Sequence, residues 1–265
     1  MNILVLGTGV VEQKLINLCL KSKYLDHIYT ASSQSLDDIP NIEYKSISEL
    51  INKSKLLQID IVFVADKNLI KSGFVEEFKK NLLNVISVNQ KWYNLEASRL
   101  VAKQLISHYS INTPNIIKAP LTFPIVIKTN QPHCTKIAHS MEELVQIREE
   151  LSQKTIFLEE YFKGEIYYLL SLWDGKNIAN FEPDLGLTEV QKDRLDLYKT
   201  KLNIMLSEEK ANFIGFFTTK LIWAKNDWHV LEYIMHLNEK SDLSVIKSDF
   251  LYLINSTIYQ KLNEI

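Results

Sequence analysis

The chain reads as an α/β protein in two parts, and three features predict this. Short apolar runs at 2–6, 25–30, 61–65 and 84–88 alternate with helical patterns. Strands separated by helices imply a parallel sheet with right-handed crossovers. Further on, two strand–turn–strand segments rich in carboxylates, IFLEEYFKGEIYYLLSLWDGKNI and GFFTTKLIWAKNDWHVLE, stand about 60 residues apart. Finally, 46% hydrophobic and 23% charged residues in a chain of 265 suit a globular protein with a sizeable core.

The elements follow in order. The run at 2–6 ends in Gly7-Thr8-Gly9 and opens a helix over 10–21. Helical patterns at 47–57 and 69–82 separate the next strands, so residues 1–88 read as a small Rossmann-like domain. A long amphipathic helix is predicted over 91–110. Thr113-Pro114 and Ala119-Pro120 then punctuate an extended stretch. A strand over 123–129 contains Lys128. A helix over 140–152 starts at Ser140 with Glu143 three residues on, a capping signature. Strands are predicted at 155–158 and 166–173, a turn at Asp174-Gly175, and a helix over 189–208. A hairpin joins 215–224 to 229–234 across Lys225-Asn226-Asp227, and a one-faced apolar helix covers 243–262. Residues 89–265 make the second domain.

Composition narrows the function classes. A net charge of −2 supplies no field for nucleic acid or an anionic membrane. Met1 leads straight into a strand pattern without the basic region of a signal peptide, and no apolar run reaches about 18 residues. Cys19 and Cys134 are too few for a disulfide framework and suit a reducing cytoplasm. Seven glycines are few, and only Gly7 and Gly9 are close neighbours, so a glycine-rich phosphate loop is not evident. Arginine is confined to Arg99, Arg148 and Arg194.

Several side chains are candidates for chemistry. Gly7-Thr8-Gly9 lacks the third glycine of a dinucleotide fingerprint and reads first as a tight turn. Lys128, inside an apolar strand, must reach either water or an anion. Glu159-Glu160-Tyr161-Phe162 is either a solvated turn or a linker whose backbone reads a base edge beside an aromatic wall. His133, Cys134 and His139 lack zinc-ligand spacing.

Taken in succession, these segments resemble the phosphoribosylamine–glycine ligase family of purine synthesis, in the ATP-grasp superfamily. NILVLGTGVVEQKLI is similar to its amino-terminal motif, and LEASRLVAKQLISHYSINTP to the helix leading to its GIPT turn. FPIVIKTN resembles PIVIKADG, EEYFKGEI resembles EEFLDGEE, and EKANFIGFFTTKLI resembles EGIxYKGVLYAGLM. VLEYIMHLNEKS resembles VIEFNARFGDPE, and IKSDFLYLI resembles the LKSDL helix. The match runs in order along nearly the whole chain. It implies a Rossmann-like domain followed by a reduced ATP-grasp domain. It also implies a nucleotide site in which Lys128 meets the phosphates, Glu159, Glu160 and Phe162 offer backbone to adenine, and Glu232 ligates Mg²⁺.

Departures from the family pattern accompany the match. TNQPHCTKIAHS stands where the family has a glycine-rich loop, and it is shorter. The ribose-binding glutamate falls on Ile166, the asparagine that shares the metal on Ile234, and the following arginine on His236. The substrate segment before the GMGAYSP motif is reduced to about FEPDLGL, and the family's carboxy-terminal domain has no counterpart. If the hairpin turns over three residues, Lys220 is expected opposite Glu232, where the resembling family has a small residue, and its ammonium would then replace the metal; a two-residue turn would shift the register by one and leave Lys220 pointing outward. The expectation is a divergent, truncated, cytoplasmic relative without the parent ligase activity, acting as a binding or accessory protein. The alternative is a working ATP-dependent carboxylate–amine ligase with an altered substrate. ATP and Mg²⁺ are the cofactors where the ancestral site survives, and none where it does not. The ligand would be a small carboxylate or amine; nucleic acid and membrane are not expected partners, and no protein partner is implied.

Overall fold

The computed structural model describes residues 1–7, 9–32, 38–118, 121–132, 134–183 and 186–264. Thr8, Ala119-Pro120 and His133, singled out above, lie outside these residues, as do Asp184 and Leu185 of FEPDLGL. The fold is mixed α/β, with one parallel and two antiparallel sheets.

The parallel sheet has β1 (Asn2–Leu6), β2 (His27–Ala31), β3 (Ile61–Val64) and β4 (Asn84–Ile86) in the order β2-β1-β3-β4. Helices α1 (Val10–Leu20), α2 (Ile47–Leu56), α3 (Lys67–Lys71) and α4 (Phe74–Lys80) connect them. The single helix expected over 69–82 is two, because Gly73 adopts φ 81° between α3 and α4.

The single helix expected over 91–110 is also two, α5 (Gln90–Ala97) and α6 (Arg99–His108). Ser98 between them is extended (φ −136°), and its hydroxyl accepts from Val101 N–H as the cap of α6. The new helix start is bonded to Asn130: Arg99 N–H donates to its carbonyl at 3.0 Å and Leu100 N–H to its side-chain oxygen at 3.0 Å. A break that costs one helical turn thus pins α6 to the next sheet.

That sheet is three-stranded, β6-β5-β7, with β5 (Ile125–Thr129), β6 (Thr135–Ala138) and β7 (Ile156–Glu160) all antiparallel. Strand β6 lies in the stretch expected to be a short loop. Its burial is mixed along Thr-Lys-Ile-Ala, so no clean period marks it in the sequence. Helix α7 (Met141–Glu150) packs on this sheet, with Ser140 capping Glu143 N–H as expected. A small core of Ile125, Ile127, Ala138, Leu144, Leu151 and Leu158 belongs to this unit alone.

The third sheet runs β11-β10-β8-β9, from β8 (Ile166–Trp173), β9 (Ile178–Phe181), β10 (Gly215–Ala224) and β11 (Asp227–Ile234), with α8 (Glu189–Glu208) before β10. Strand β9 was not foreseen. The terminal helix is shorter than expected: a 3₁₀ turn at Leu243–Val245 precedes α9 (Phe250–Ile258), which Asp249 caps.

Alternate residues of β1 feed two cores, as a strand buried on both faces requires. Leu4 and Leu6 pack in the cluster that holds Tyr167, Leu169, Phe217 and Tyr233 of the third sheet. Ile3 and Val5 pack in the one that holds Leu170, Leu172, Phe216 and Phe250. The parallel sheet and the third sheet therefore share both of their cores. They meet closely where Ser87 bridges Ile214. A Cβ on Gly215 would lie 2.7–2.9 Å from the Ser87 backbone, which has no flexible end to give way. Gly215→Ala should therefore destabilise the protein by about 1–3 kcal/mol. A urea midpoint unchanged from the parent would show that the two sheets can separate there without cost.

Candidate functional site

The site is built around one irregularity in β11. The hairpin turn has two residues, Lys225 and Asn226, both at positive φ (52° and 59°), which pair Ala224 with Asp227. A two-residue turn alone would put Lys220 opposite Leu231. A bulge intervenes: Leu221 pairs with Val230 but Lys220 pairs with Glu232, leaving Leu231 extra. Lys220 thus faces Glu232 as expected, by a different route. The bulge also frees the Leu231 carbonyl, and Lys128 Nζ of β5 donates to it at 3.0 Å.

Lys128 is buried, and its ammonium has a second partner in Glu159 Oε2 at 2.7 Å. Lys103 of α6 approaches Glu159 Oε1, also at 2.7 Å, and donates to Thr113 Oγ1 and the Pro114 carbonyl. Glu159 is 1% exposed, a carboxylate held between two ammonium groups. Burial lowers the Lys103 pKa, against the opposing pull of the Glu159 charge.

Glu232 is held by a residue that the sequence reading left unused. Arg99 donates through Nη2 to Glu232 Oε2 at 2.8 Å and through Nη1 to the carbonyls of Thr129 (3.1 Å) and Cys134 (2.9 Å). Lys220 Nζ stands 3.8 Å from the other carboxylate oxygen. Burial by itself would raise the Glu232 pKa. The Arg99 hydrogen bond and the nearby charges of Lys220, Arg99 and Lys128 outweigh it, and the carboxyl lies below the ordinary glutamate value.

Glu159 and Glu160 are the last residues of β7 rather than part of the linker; the linker runs 161–165, and β8 starts at Ile166. Glu160 N–H donates to the Asn115 carbonyl at 3.0 Å, so that donor is engaged within the protein. The Glu160 carboxylate pairs with Lys225 at 3.1 Å. The Lys225 ammonium also lies 4.8 Å from the centre of the Phe162 ring, which meets His229 edge-on at 4.7 Å. A Cβ on Gly164 would collide with the Trp223 carbonyl, so the linker lies tight against β10.

The five sequence candidates, Lys128, Glu159, Glu160, Phe162 and Glu232, all line one cavity of about 310 Å³ between the three-stranded sheet and the third sheet. Val126, Ile137, Ile166 and Ile222 give it apolar walls, and Ile166 is half exposed at its mouth. A second cavity of about 380 Å³ adjoins it, with Thr135, Lys220 and Glu232 lining both. Glu96 bonds Met235 N–H (2.7 Å) and His236 Nδ1 (2.8 Å) on the wall of this second cavity. A third, of about 740 Å³, opens at Gly7 and Gly9. The room those glycines leave is filled by the protein's own Glu12: a Cβ on either would lie within 2.7 Å of its carboxylate oxygens. Burial raises the pKa of Glu12.

A nucleotide has space in the paired cavities, but Mg²⁺ does not fit the residues present. One oxygen of Glu232 is bonded to a guanidinium, the other faces an ammonium, and Ile234, two residues on, offers no ligand. A divalent ion there would sit among like charges. Sequence reasoning missed Arg99 and Lys103. Their spacing of four on an amphipathic helix was the available signal, because it puts both on one face.

A carboxylate whose folded pKa is depressed contributes stability at neutral pH and loses it as pH falls through that folded value. Glu232→Gln should therefore cost about 3 kcal/mol at pH 7, as Arg99 loses its charged partner. The gap to the parent should narrow in acid, as pH falls below the ordinary glutamate range and through the lowered folded value. Urea denaturation at neutral and acid pH measures it, and a gap that persisted in acid would locate the stabilisation elsewhere.

No model of a known protein family matches the chain. Individual relatives do. It is 24% identical to phosphoribosylamine–glycine ligase from Fusobacterium nucleatum, covering 100% of this chain and 75% of the relative. That alignment spans 319 positions against 265 residues here, so the relative has internal segments that this chain lacks. The solved phosphoribosylamine–glycine ligase from Thermotoga maritima superposes with a TM-score of 0.74 at 16% identity, over 98% of this chain and 76% of that one. The biotin carboxylase domain of 2-oxoglutarate carboxylase from Hydrogenobacter thermophilus, solved with ADP, magnesium and bicarbonate, gives 0.68 at 13% identity, over 90% and 64%. From end to end, the chain resembles phosphoribosylamine–glycine ligase, and its fold is that of the ATP-grasp ligases.

Proposed function

We propose that this protein keeps the ATP-grasp cleft but does not make glycinamide ribonucleotide, and that it acts by binding a ligand. The observation that carries the reading is the state of Glu232. The resemblance makes it a metal ligand, yet Arg99 bonds it at 2.8 Å and Lys220 stands at 3.8 Å. Phosphoryl transfer depends on cations placed where charge develops on the moving group. A carboxylate already neutralised by the protein supplies no metal for that task. Removing one such stabilising contact from an active site costs about 3 kcal/mol, roughly a hundredfold in rate. Here Ile234 and Ile166 stand where the resemblance puts two further polar contacts, so the losses accumulate. Lys128, Glu159, Glu160 and Phe162 remain as walls of the cavity.

The competing reading is a carboxylate–amine ligase with another substrate, for which the two adjoining cavities leave room. One assay separates the two. Purified protein with phosphoribosylamine, glycine and Mg-ATP should release no more phosphate than a buffer blank; sustained glycine-dependent release would sink the proposal. Phosphate released only with a different carboxylate and amine would support the competing reading. Ile166→Glu should tighten ATP binding by roughly tenfold in calorimetry, since one hydrogen bond to a hydroxyl contributes about 1 kcal/mol or more. No tightening would mean that the sugar does not reach position 166.

A further inference from the structure

Pairing within the site leaves cations over. The cavity of about 380 Å³ is lined by Lys67, Lys220 and Lys240 together with Tyr168. Lys220 and Lys240 come from different parts of the chain, one in β10 and one beyond β11, yet each ammonium lies 6.0 Å from the centre of the same Tyr168 ring. Lys220 has Glu232 at 3.8 Å, but that carboxylate makes its shorter bond to Arg99. Among the described residues, the ammonium groups of Lys67 and Lys240 have neither an ion pair nor a hydrogen bond. Of the acids nearby, Glu232 is bonded to the Arg99 guanidinium, and Glu96 accepts from Met235 N–H and meets the His236 ring. Among the described residues that line the cavity, the four cations Arg99, Lys67, Lys220 and Lys240 outnumber the carboxylates Glu96, Glu232 and Glu239 by one. Lys67 and Lys240 are unpaired, and Lys220 stands at 3.8 Å from a carboxylate that Arg99 bonds more closely, so the like charges on this concave wall repel one another and an anion of several charges relieves that repulsion. Two of the lysines stand where the resembling family has small or rigid residues: Lys220 at a glycine, Lys240 at the proline of VIEFNARFGDPE.

We infer that this cavity binds the phosphate chain of a di- or triphosphate directly, with Lys220 and Lys240 in place of a divalent cation. The inference rests on the reading of Glu232 as neutralised by the protein. Lysine serves phosphate as a point charge without bidentate geometry, which suits three side chains from three elements. The base and sugar of a nucleotide would extend into the neighbouring cavity beside Phe162 and Ile166. A Mg²⁺-complexed phosphate chain carries less negative charge and would be the poorer ligand.

Calorimetric titration of the intact protein with inorganic diphosphate, in EDTA and then in excess Mg²⁺, tests this. Binding in EDTA that weakens in Mg²⁺ is expected. Lys240→Ala should weaken it at least tenfold and Lys240→Arg should largely keep it. Lys240 is exposed, so the fold tolerates the exchange, and circular dichroism checks that. No binding in EDTA, binding only with Mg²⁺, or indifference to Lys240→Ala would overturn the inference. ATP tighter than inorganic triphosphate would identify the source as a nucleotide, and equal affinities would identify a free polyphosphate; both outcomes support the site. If the ligase assay proves positive while diphosphate still binds without metal, the functional reading fails and this site stands. If the assay is blank and diphosphate does not bind, the site alone fails.

Discussion

The cleft depends on a single extra residue in β11. Leu231 has no partner across the hairpin, and the bulge it makes restores the register that a two-residue turn would have shifted. Without it, Lys220 would face Leu231, and Glu232 would project from the other side of the sheet. The same residue presents an unpaired carbonyl to Lys128, which ties the three-stranded sheet to the third sheet. Backbone irregularity and side-chain electrostatics are therefore one feature here: the bulge aims the carboxylate and also anchors the cation opposite it.

Two ion clusters follow from that placement. Each has one carboxylate and two cations: Glu159 with Lys103 and Lys128, Glu232 with Arg99 and Lys220. Buried ions are costly unless paired and hydrogen-bonded; both clusters are paired from within the protein, although Glu159 Oε1 and Arg99 Nε are buried without a hydrogen bond. Such a cleft needs no external cation to be stable. In an enzyme of this fold that depends on Mg²⁺, the carboxylate at Glu232 would instead have to remain unneutralised until the metal arrived.

Much of the fold was legible and less of the site. Strands β1 and β8 and helix α8 have clean apolar patterns, and their expected bounds match the structure. Strand β6 escaped because four residues of mixed burial carry no period, and β9 because all its residues are half-buried. The break at Ser98 escaped because the apolar stripe continues across it; what breaks the helix is a tertiary bond to Asn130, which no local pattern encodes. Arg99 was missed for the same reason, since its role exists only once α6 begins there. Lys220 facing Glu232 was foreseen from an assumed three-residue turn. The turn is shorter and the bulge compensates, so two departures from the assumption cancel.

The three-stranded sheet has its own small apolar core, whereas the other two sheets share theirs. Regions with few buried apolar contacts open at lower free energy than the rest of a molecule. What restrains this one is polar: Arg99 bonded to the Thr129 and Cys134 carbonyls, α6 bonded to Asn130, and Lys128 bonded to Leu231. The amides of β5 and β6 should then exchange with solvent through a local opening that breaks these few charged hydrogen bonds rather than through unfolding of the whole molecule. Breathing of the cleft is in this sense governed by charge, and anything that enters it must first compete for bonds that the protein already makes with itself.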